Sequence, residues 1–360
     1  MQFEVDRDNL HRTRVLDDAP RSLIAGEARL RIDQFALTSN NITYAAFGDM
    51  LQYWNFFPAS TTVTEPGNWG RVPVWGFAEV VESTAAALKI GTRAYGYLPM
   101  ATELIVEPGR VDGTGFNDMA VHRQPMAGAY NRYVFTETDP IYDPKREPQQ
   151  MVLWPLFMTS FLIDDFLGDS AVFGADTVIV SSASSKTAIG SAYQASRREG
   201  IHVVGLTSAG NADFVRSLGC YDETVLYDDV TSLAHGTAVF VDIAGNADVR
   251  AAVHGHFGER LKHSMIVGST HWDHQSSAVM PEIGAKPEFF FAPTQISKRN
   301  NDWGKAGLDE RVGAAWERYC DWTDSWITFA TTNGAAGTEQ TFRALLDGGV
   351  DPNLGYVVQP

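Results

Sequence analysis

The sequence predicts an α/β protein of two domains: a doubly wound parallel sheet in the middle of the chain, preceded by a small β domain. Three observations carry this. The chain has 360 residues, more than one hydrophobic core usually supports. From about residue 175, short β-branched runs alternate with amphipathic helical stretches, the pattern of a parallel sheet covered on both faces. The first 110 or so residues instead alternate apolar with polar positions and place turn residues about every eight to twelve positions, as a small barrel or sandwich does.

In the first part, EARLRIDQFALT reads as a half-buried strand. VPVWGFAEVVES is expected as a strand pair broken at Gly76, and LKIGTRAYGYLP and TELIVEP continue the pattern. Residues 111–145, with GTGFND and the proline-rich DPIYDPKREP, read as loops. The character changes near Met151, where MVLWPLFMTSFLIDDFL is apolar and long enough for a buried helix. TVIVSS, HVVGLTS, ETVLY, AVFVDIAG and SMIVGST are short buried strands. TAIGSAYQASRREG and NADFVRSLG are helices closed by glycine, and NADVRAAVHGHFGERL is a further helix. After FFFAP the pattern turns helical. Val312, Ala315, Trp316, Tyr319, Trp322 and Trp326 recur there at helical spacing, as a core-facing stripe does. LGYVVQP closes the chain as one more strand.

The formal net charge of -16 repels phosphate backbones and argues against a nucleic-acid partner. No long uninterrupted apolar stretch is evident, so no membrane span is expected. MQFEVDRDNLHRTRVL is charged from its sixth residue and has no apolar signal core, which points to a cytoplasmic location. Cys220 and Cys320 are the only cysteines. That count excludes a disulfide framework and a thiolate zinc site, and buried free thiols are expected.

In a Rossmann-type sheet, a dinucleotide sits where the first strand turns into its helix, because amides at the helix start point at the pyrophosphate. Here that turn is SSASSKTAIG, beginning at Ser181. Its usual glycines are replaced by alanine and serine. Small residues still permit close approach, and the hydroxyls and amides of Ser184, Ser185, Thr187 and Ala188 could donate to phosphate. Lys186 supplies a positive charge and is expected to be solvent-accessible. A Walker A reading of Ser185-Lys186-Thr187 fails because the preceding glycines are missing. A plain capped helix without a ligand is the alternative. The second strand ends at Thr207-Ser208, where an NAD site carries an acid to hold the ribose, so NADP(H) is favoured over NAD(H). Lys186 and Arg216 are the nearest cations in sequence.

The order of these pieces resembles the medium-chain dehydrogenase/reductase superfamily. LRIDQFALTSNNITYAAFGD is similar to the family's strand and asparagine-containing loop, and VPVWGFAEVVES with LKIGTRAYGYLP to its glycine-containing strand and following turn. TVIVSSASSKTAIGSAYQA matches the phosphate turn in position. AVFVDIAG, with Gly245, and LKHSMIVGST, with Gly268, are similar to its later strand ends. More narrowly, THWD, FFFAP and the tryptophan-rich helix resemble a DUF2855-like branch of unassigned function. The resemblance implies a GroES-like β-barrel over residues 1–145, completed by 295–360, and a Rossmann NADP(H)-binding domain over 146–294. Ser39-Asn40-Asn41-Ile42-Thr43 and Gly76-Phe77-Ala78-Glu79 lack the cysteine and histidine of zinc alcohol dehydrogenases, so no metal is expected.

Zinc-free relatives transfer hydride from NADPH to an activated C=C or quinone, and the protein must stabilise the enolate that forms. Asn41, Tyr44 and Tyr53 are the candidates in the corresponding loop, and Tyr130 and Asn131 are further ones. His271, with Asp273 and His274, follows a strand end and is a candidate general acid, although an exposed loop histidine without a role is the plainer reading. A His-x-x-His metal pair would lack a third ligand, and His254 and His256 read as surface residues. The expected function is reduction of an enone, quinone or related small carbonyl compound. The alternative is a non-redox lyase, isomerase or nucleotide sensor on the same scaffold. A homodimer is expected, with FFFAP as the pairing edge strand.

Overall fold

The computed structural model describes residues 1–17, 21–50, 52–61, 65–267 and 283–360. The chain divides into two compact units, residues 1–152 with 327–360, and residues 153–326.

The first unit is a GroES-like β domain. β1 (Gln2–Asp6) and β2 (Asn9–Leu16) form a hairpin, followed by β3 (Ala28–Leu37) and helix α1 (Ser39–Ala46). Next come β4 (Trp69–Gly70), β5 (Pro73–Ser83), β6 (Arg93–Pro99), β7 (Glu103–Val106), β8 (Pro108–Asp112), β9 (Gly115–Asp118) and β10 (Arg132–Phe135). VPVWGFAEVVES is one continuous strand rather than a broken pair. Gly76 lies opposite Gly96 within β5 and is there because β3 passes close: a Cβ would sit 2.3 Å from the Gln34 carbonyl oxygen. GTGFND and part of 111–145, expected as loops, supply β9 and β10. These strands are too short for a periodicity reading to separate them from turns.

Helix α2 (Glu147–Asp169) leads into the second unit. It is long and apolar enough to cross a membrane by length and composition alone, a feature the sequence reading did not register. In the structure its Phe157 stacks on Tyr319 at 4.8 Å, and Leu162, Ile163 and Leu167 are buried. The unit continues with β11 (Thr177–Val180), α3 (Lys186–Ala195), β12 (His202–Thr207), α4 (Ala212–Ser217), β13 (Glu223–Leu226), β14 (Ala238–Asp242), α5 (Ala247–Phe257), β15 (Leu261–Ile266), β16 (Pro287–Phe289) and α6 (Ala292–Thr323). The strands pair in parallel in the order β13-β12-β11-β14-β15-β16, the doubly wound Rossmann arrangement.

The family resemblance implies a return to the β domain at residue 295. Instead α6 belongs to the second unit, tied to α2 by Arg299 on Asp165 at 2.6 Å, and the return begins at Ile327. The helix also ends before Trp326, so that residue leaves the stripe formed by Val312, Ala315, Trp316 and Tyr319, all buried. β17 (Thr328–Asn333), α7 (Gly334–Leu346) and β18 (Leu354–Gln359) then complete the first unit, β18 pairing with both β17 and β3. Phe342 of α7 packs on Phe3. Cys220 and Cys320 are buried thiols outside any disulfide.

Candidate functional site

In the second unit, the β-branched residues of β11 are buried between β12 and β14, so the turn after them emerges at the carboxyl edge of the sheet. Ligands bind at that edge in sheets of this type. Ser181 is fully buried; its hydroxyl donates to Asp242 Oδ1 at 2.9 Å and accepts from the Ala244 amide at 3.0 Å. Ser182 has φ 54°, the left-handed region that glycine fills at little cost, and its amide donates to the Tyr227 hydroxyl at 3.0 Å. The Ala183 amide donates to the Leu206 carbonyl at 3.0 Å. Gly205 in β12 makes that approach possible, since a Cβ there would lie 2.9 Å from the Ala183 Cβ.

Ser185 caps α3. Its hydroxyl accepts from the Ala188 amide at 3.3 Å, and its own amide donates to the Ser182 carbonyl at 2.7 Å. Further into α3, Gly190 lets α2 approach: a Cβ would meet Ser160 Oγ at 2.6 Å, and that hydroxyl donates to the Thr187 carbonyl at 2.8 Å. The turn thus keeps the close packing that glycines provide, with small residues in two neighbouring elements. It differs from expectation in one respect. The amides of Ser182, Ala183, Ser185 and Ala188 are bonded within the protein.

Lys186 also departs from expectation. Only part of its side chain reaches solvent, and burial lowers its ammonium to about 8 from the usual 10.5. At the end of β12, Thr207 is buried and Ser208 exposed. Asn211 joins two sequence-selected residues, donating from Nδ2 to Ser184 Oγ at 3.1 Å and to Ser208 Oγ at 3.4 Å. Arg216 pairs instead with Asp213, at 2.7 Å. Gly245 has φ 65°, and its amide donates to Asp242 Oδ1 at 2.9 Å. Burial raises the Asp242 carboxyl, opposed by Ser181 and by Arg250 at 3.4 Å.

Asn211, Tyr227 and Asp242 were missed as parts of this site. Only Asp242, at a strand end before glycine, had a local signal. Gly268, His271, Asp273 and His274 lie outside the described residues. Among those described, no group of three or more His, Cys, Asp or Glu side chains is placed to hold a metal. His254 is not a surface residue: it is buried, with Nε2 2.9 Å from Ser264 Oγ and Nδ1 3.0 Å from the Ile283 carbonyl oxygen.

In the first unit, SNNITYAA is a helix rather than a loop. Asn41 is committed to its start: Oδ1 accepts from the Thr38 amide at 2.7 Å, and Nδ2 donates to the Pro73 carbonyl at 2.9 Å. Asn40 Nδ2 donates to the Tyr44 hydroxyl at 2.6 Å. The Tyr44 ring stacks on Tyr53 at 4.2 Å, and Tyr130 packs edge-on to Tyr53 at 6.2 Å. Tyr97 lies 4.8 Å from Tyr130, and Trp75 4.9 Å from Tyr97. Tyr44, Tyr53 and Tyr130, chosen from sequence, therefore share one aromatic cluster, which Tyr97 and Trp75 complete. Burial pushes the Tyr44 and Tyr53 phenols well above their ordinary range. Arg123, fully buried, holds the edge of the cluster through the Tyr130 carbonyl at 2.5 Å and Asn131 Oδ1 at 3.0 Å.

The chain is similar over its whole length to several solved structures. With CurA in complex with NADPH from Vibrio vulnificus it shares 13% identity, covering 99% of this chain and 98% of that one, with a TM-score of 0.63. With the Etr1p/NADP/crotonyl-CoA complex the values are 9%, 100%, 100% and 0.58. With the quinone oxidoreductase from Coxiella burnetii they are 10%, 100%, 98% and 0.54. The likeness is one of fold, a Rossmann domain joined to a GroES-like domain. No curated protein matches the sequence. A family model described as "Protein of unknown function (DUF2855)" matches residues 35–351, and the chain belongs to that family.

Proposed function

We propose that this protein is an NADPH-dependent reductase of an enone, quinone or related small carbonyl compound, working without zinc. The observation that carries the reading is the carboxyl edge of the parallel sheet. There a turn of small residues enters α3 beside Lys186, and the end of β12 bears Thr207, Ser208 and Asn211 in place of an acid. This donor set fits a dinucleotide with a phosphate on its ribose, because a carboxylate there would repel that phosphate and a cation with hydroxyls attracts it. The solved structures of similar fold that hold NADPH or NADP support the same reading.

Ser184, Ser185, Lys186 and Thr187 would hold the phosphates, with Ala188 closing the capped turn, and Ser208 and Asn211 would hold the ribose end. Gly245 leaves room beside β14. When bound, the cofactor supplies hydride. Tyr44 supplies the proton from its hydroxyl, and Tyr53 and Tyr130 enclose the reacting group and exclude water. Asn41 holds α1 in place. The protein is also read as a homodimer pairing at β16.

A second reading, binding without redox turnover, is favoured by one observation: the amides at Ser182, Ala183, Ser185 and Ala188 already have partners within the protein. Calorimetric titration separates the two. Tighter binding of NADPH than NADH, with NADPH consumed in the presence of an enone or quinone panel, is the expected result. Binding without consumption across the panel would favour the second reading. Equal or tighter NADH binding would overturn the cofactor assignment.

A further inference from the structure

Two polar side-chain atoms in the aromatic cluster of the first unit have no hydrogen-bond partner among the described residues: the hydroxyl of Tyr97 and Nε1 of Trp75, both shielded from solvent. Tyr97 is fully buried. Orphaned buried donors cost stability, so a native structure that keeps two in one cluster invites a functional account. The surroundings are also built to hold them still. The Tyr133 hydroxyl donates to the Tyr97 carbonyl at 2.7 Å and accepts from buried Arg123 at 3.1 Å. Gly96 admits the Tyr133 ring, which a Cβ would meet at 2.4 Å. Trp75 is stacked on Tyr95 at 5.5 Å.

Tyr97 approaches Tyr44, and Trp75 packs against Tyr97 at 4.9 Å. The Tyr97 ring stands edge-on to the Tyr44 ring, 6.1 Å between centroids. Asn40 already donates to the Tyr44 oxygen at 2.6 Å, so the proton of Tyr44 must point away from Asn40. Neither Tyr97 nor Trp75 meets hydrogen-bond geometry with that oxygen, yet both lie close enough to favour its ionised form, against the dominant effect of burial. A neutral buried phenol of this kind keeps its proton until a stronger base is presented.

We propose that Tyr97 and Trp75 are positioning residues that act through Tyr44, their O–H and N–H held to receive the negative charge left on the Tyr44 oxygen when that phenol gives up its proton. This rests on the reductase reading. In the step, the Tyr44 O–H bond breaks and its proton goes to the acceptor after hydride has reached it, forming a C–H bond on the enolate of an enone or an O–H bond on a reduced quinone. The electron pair stays on the phenol oxygen, where Asn40, Tyr97 and Trp75 donate to it. Water returns the proton after product leaves. The two donors are unpartnered in the resting protein because their acceptor exists only after proton transfer, the differential stabilisation that lowers a barrier.

The test needs neither cofactor nor substrate. A trifluorinated tyrosine placed at position 44 of the full chain is a stronger acid than tyrosine, which brings its ionisation within reach of a pH titration despite burial, and its ultraviolet absorbance reports the phenolate. Tyr97→Phe and Trp75→Phe should each weaken its ionisation about tenfold or more, since a hydrogen bond to a charged group is worth about 1.5–3 kcal/mol. Tyr97→Phe removes only an unpartnered hydroxyl, so the protein should fold, and Trp75→Phe tests the role independently. Tyr95→Phe is the control: its hydroxyl donates to the Gln150 carbonyl at 3.3 Å, within the same ring packing. An unchanged ionisation constant in both variants, or an equal change in Tyr95→Phe, would overturn the proposal. Failure of NADPH to bind the unmodified protein would instead remove the reductase reading on which it rests.

Discussion

Lys186 is the charged group of the candidate cofactor turn, and its burial sets the pH range over which it stays charged. Its folded value, about 8, lies below the ordinary 10.5. Between those values the unfolded chain binds the proton and the folded one does not, so this residue's contribution to stability rises with pH across that window and is constant below it. Wild type should therefore gain stability relative to Lys186→Met between pH 8 and 10.5 in denaturant titrations. NADPH affinity should move the opposite way, falling as pH rises past about 8 because the ammonium is lost. At pH 7, Lys186→Ala should weaken NADPH binding about ten- to a hundredfold, the worth of a charge-assisted bond. NADPH binding that ignores both pH and substitution would show that the turn does not hold phosphate through this residue. The type and position of Lys186 were legible in sequence. Its burial was not, because burial depends on packing that a local pattern does not show.

At the scale of elements, the second unit depends on how α6 sits on α2. Arg299 bonds to Asp165 at 2.6 Å and Asp169 at 3.0 Å, and its side chain is 8% exposed against 11% for Asp165. Gln295 adds a bond to the same Asp165 oxygen at 2.5 Å. Removing the cation leaves a nearly buried carboxylate without its charge partner, which typically costs about 3–5 kcal/mol. Arg299→Ala should lower unfolding stability by about that amount. A loss below about 1 kcal/mol would show that the pair is solvated in practice. The aromatic spacing of α6 revealed a buried face but not its owner. A helix stripe reports that something covers it, and the contacts of α2, with Phe157 stacked on Tyr319 and acidic residues opposite Arg299 and Lys298, say which element does.

For the whole molecule, the outermost strand of the second unit among the described residues is β16, which pairs with β15. Phe289 and the adjoining Phe291 are 37% and 58% exposed. An apolar edge strand is a pairing surface unless something covers it. A symmetric dimer joined β16 to β16 would cover it, with each copy presenting the same strand. Sedimentation at micromolar concentration should give twice the mass of the 39.5 kDa chain, and Phe291→Asp should shift the population toward single chains. A monomer in the wild type would exclude this edge as a self-association surface.

The alternation of β-branched runs with helices, each closed at its end, determined the doubly wound sheet from sequence alone, because strand and helix periodicities are local properties. The position of the phosphate turn followed from the same local order. Three things waited for the tertiary structure. Gly205 on a neighbouring strand, not a glycine in the turn, gives Ala183 its room. Tyr227 and Asp242, from separate strand ends, meet Ser182 and Ser181. The aromatic cluster gathers Tyr44, Trp75, Tyr97 and Tyr130 from four segments. In each case the partner lies many residues away, and only the pairing of strands decides which side chains the chain brings together.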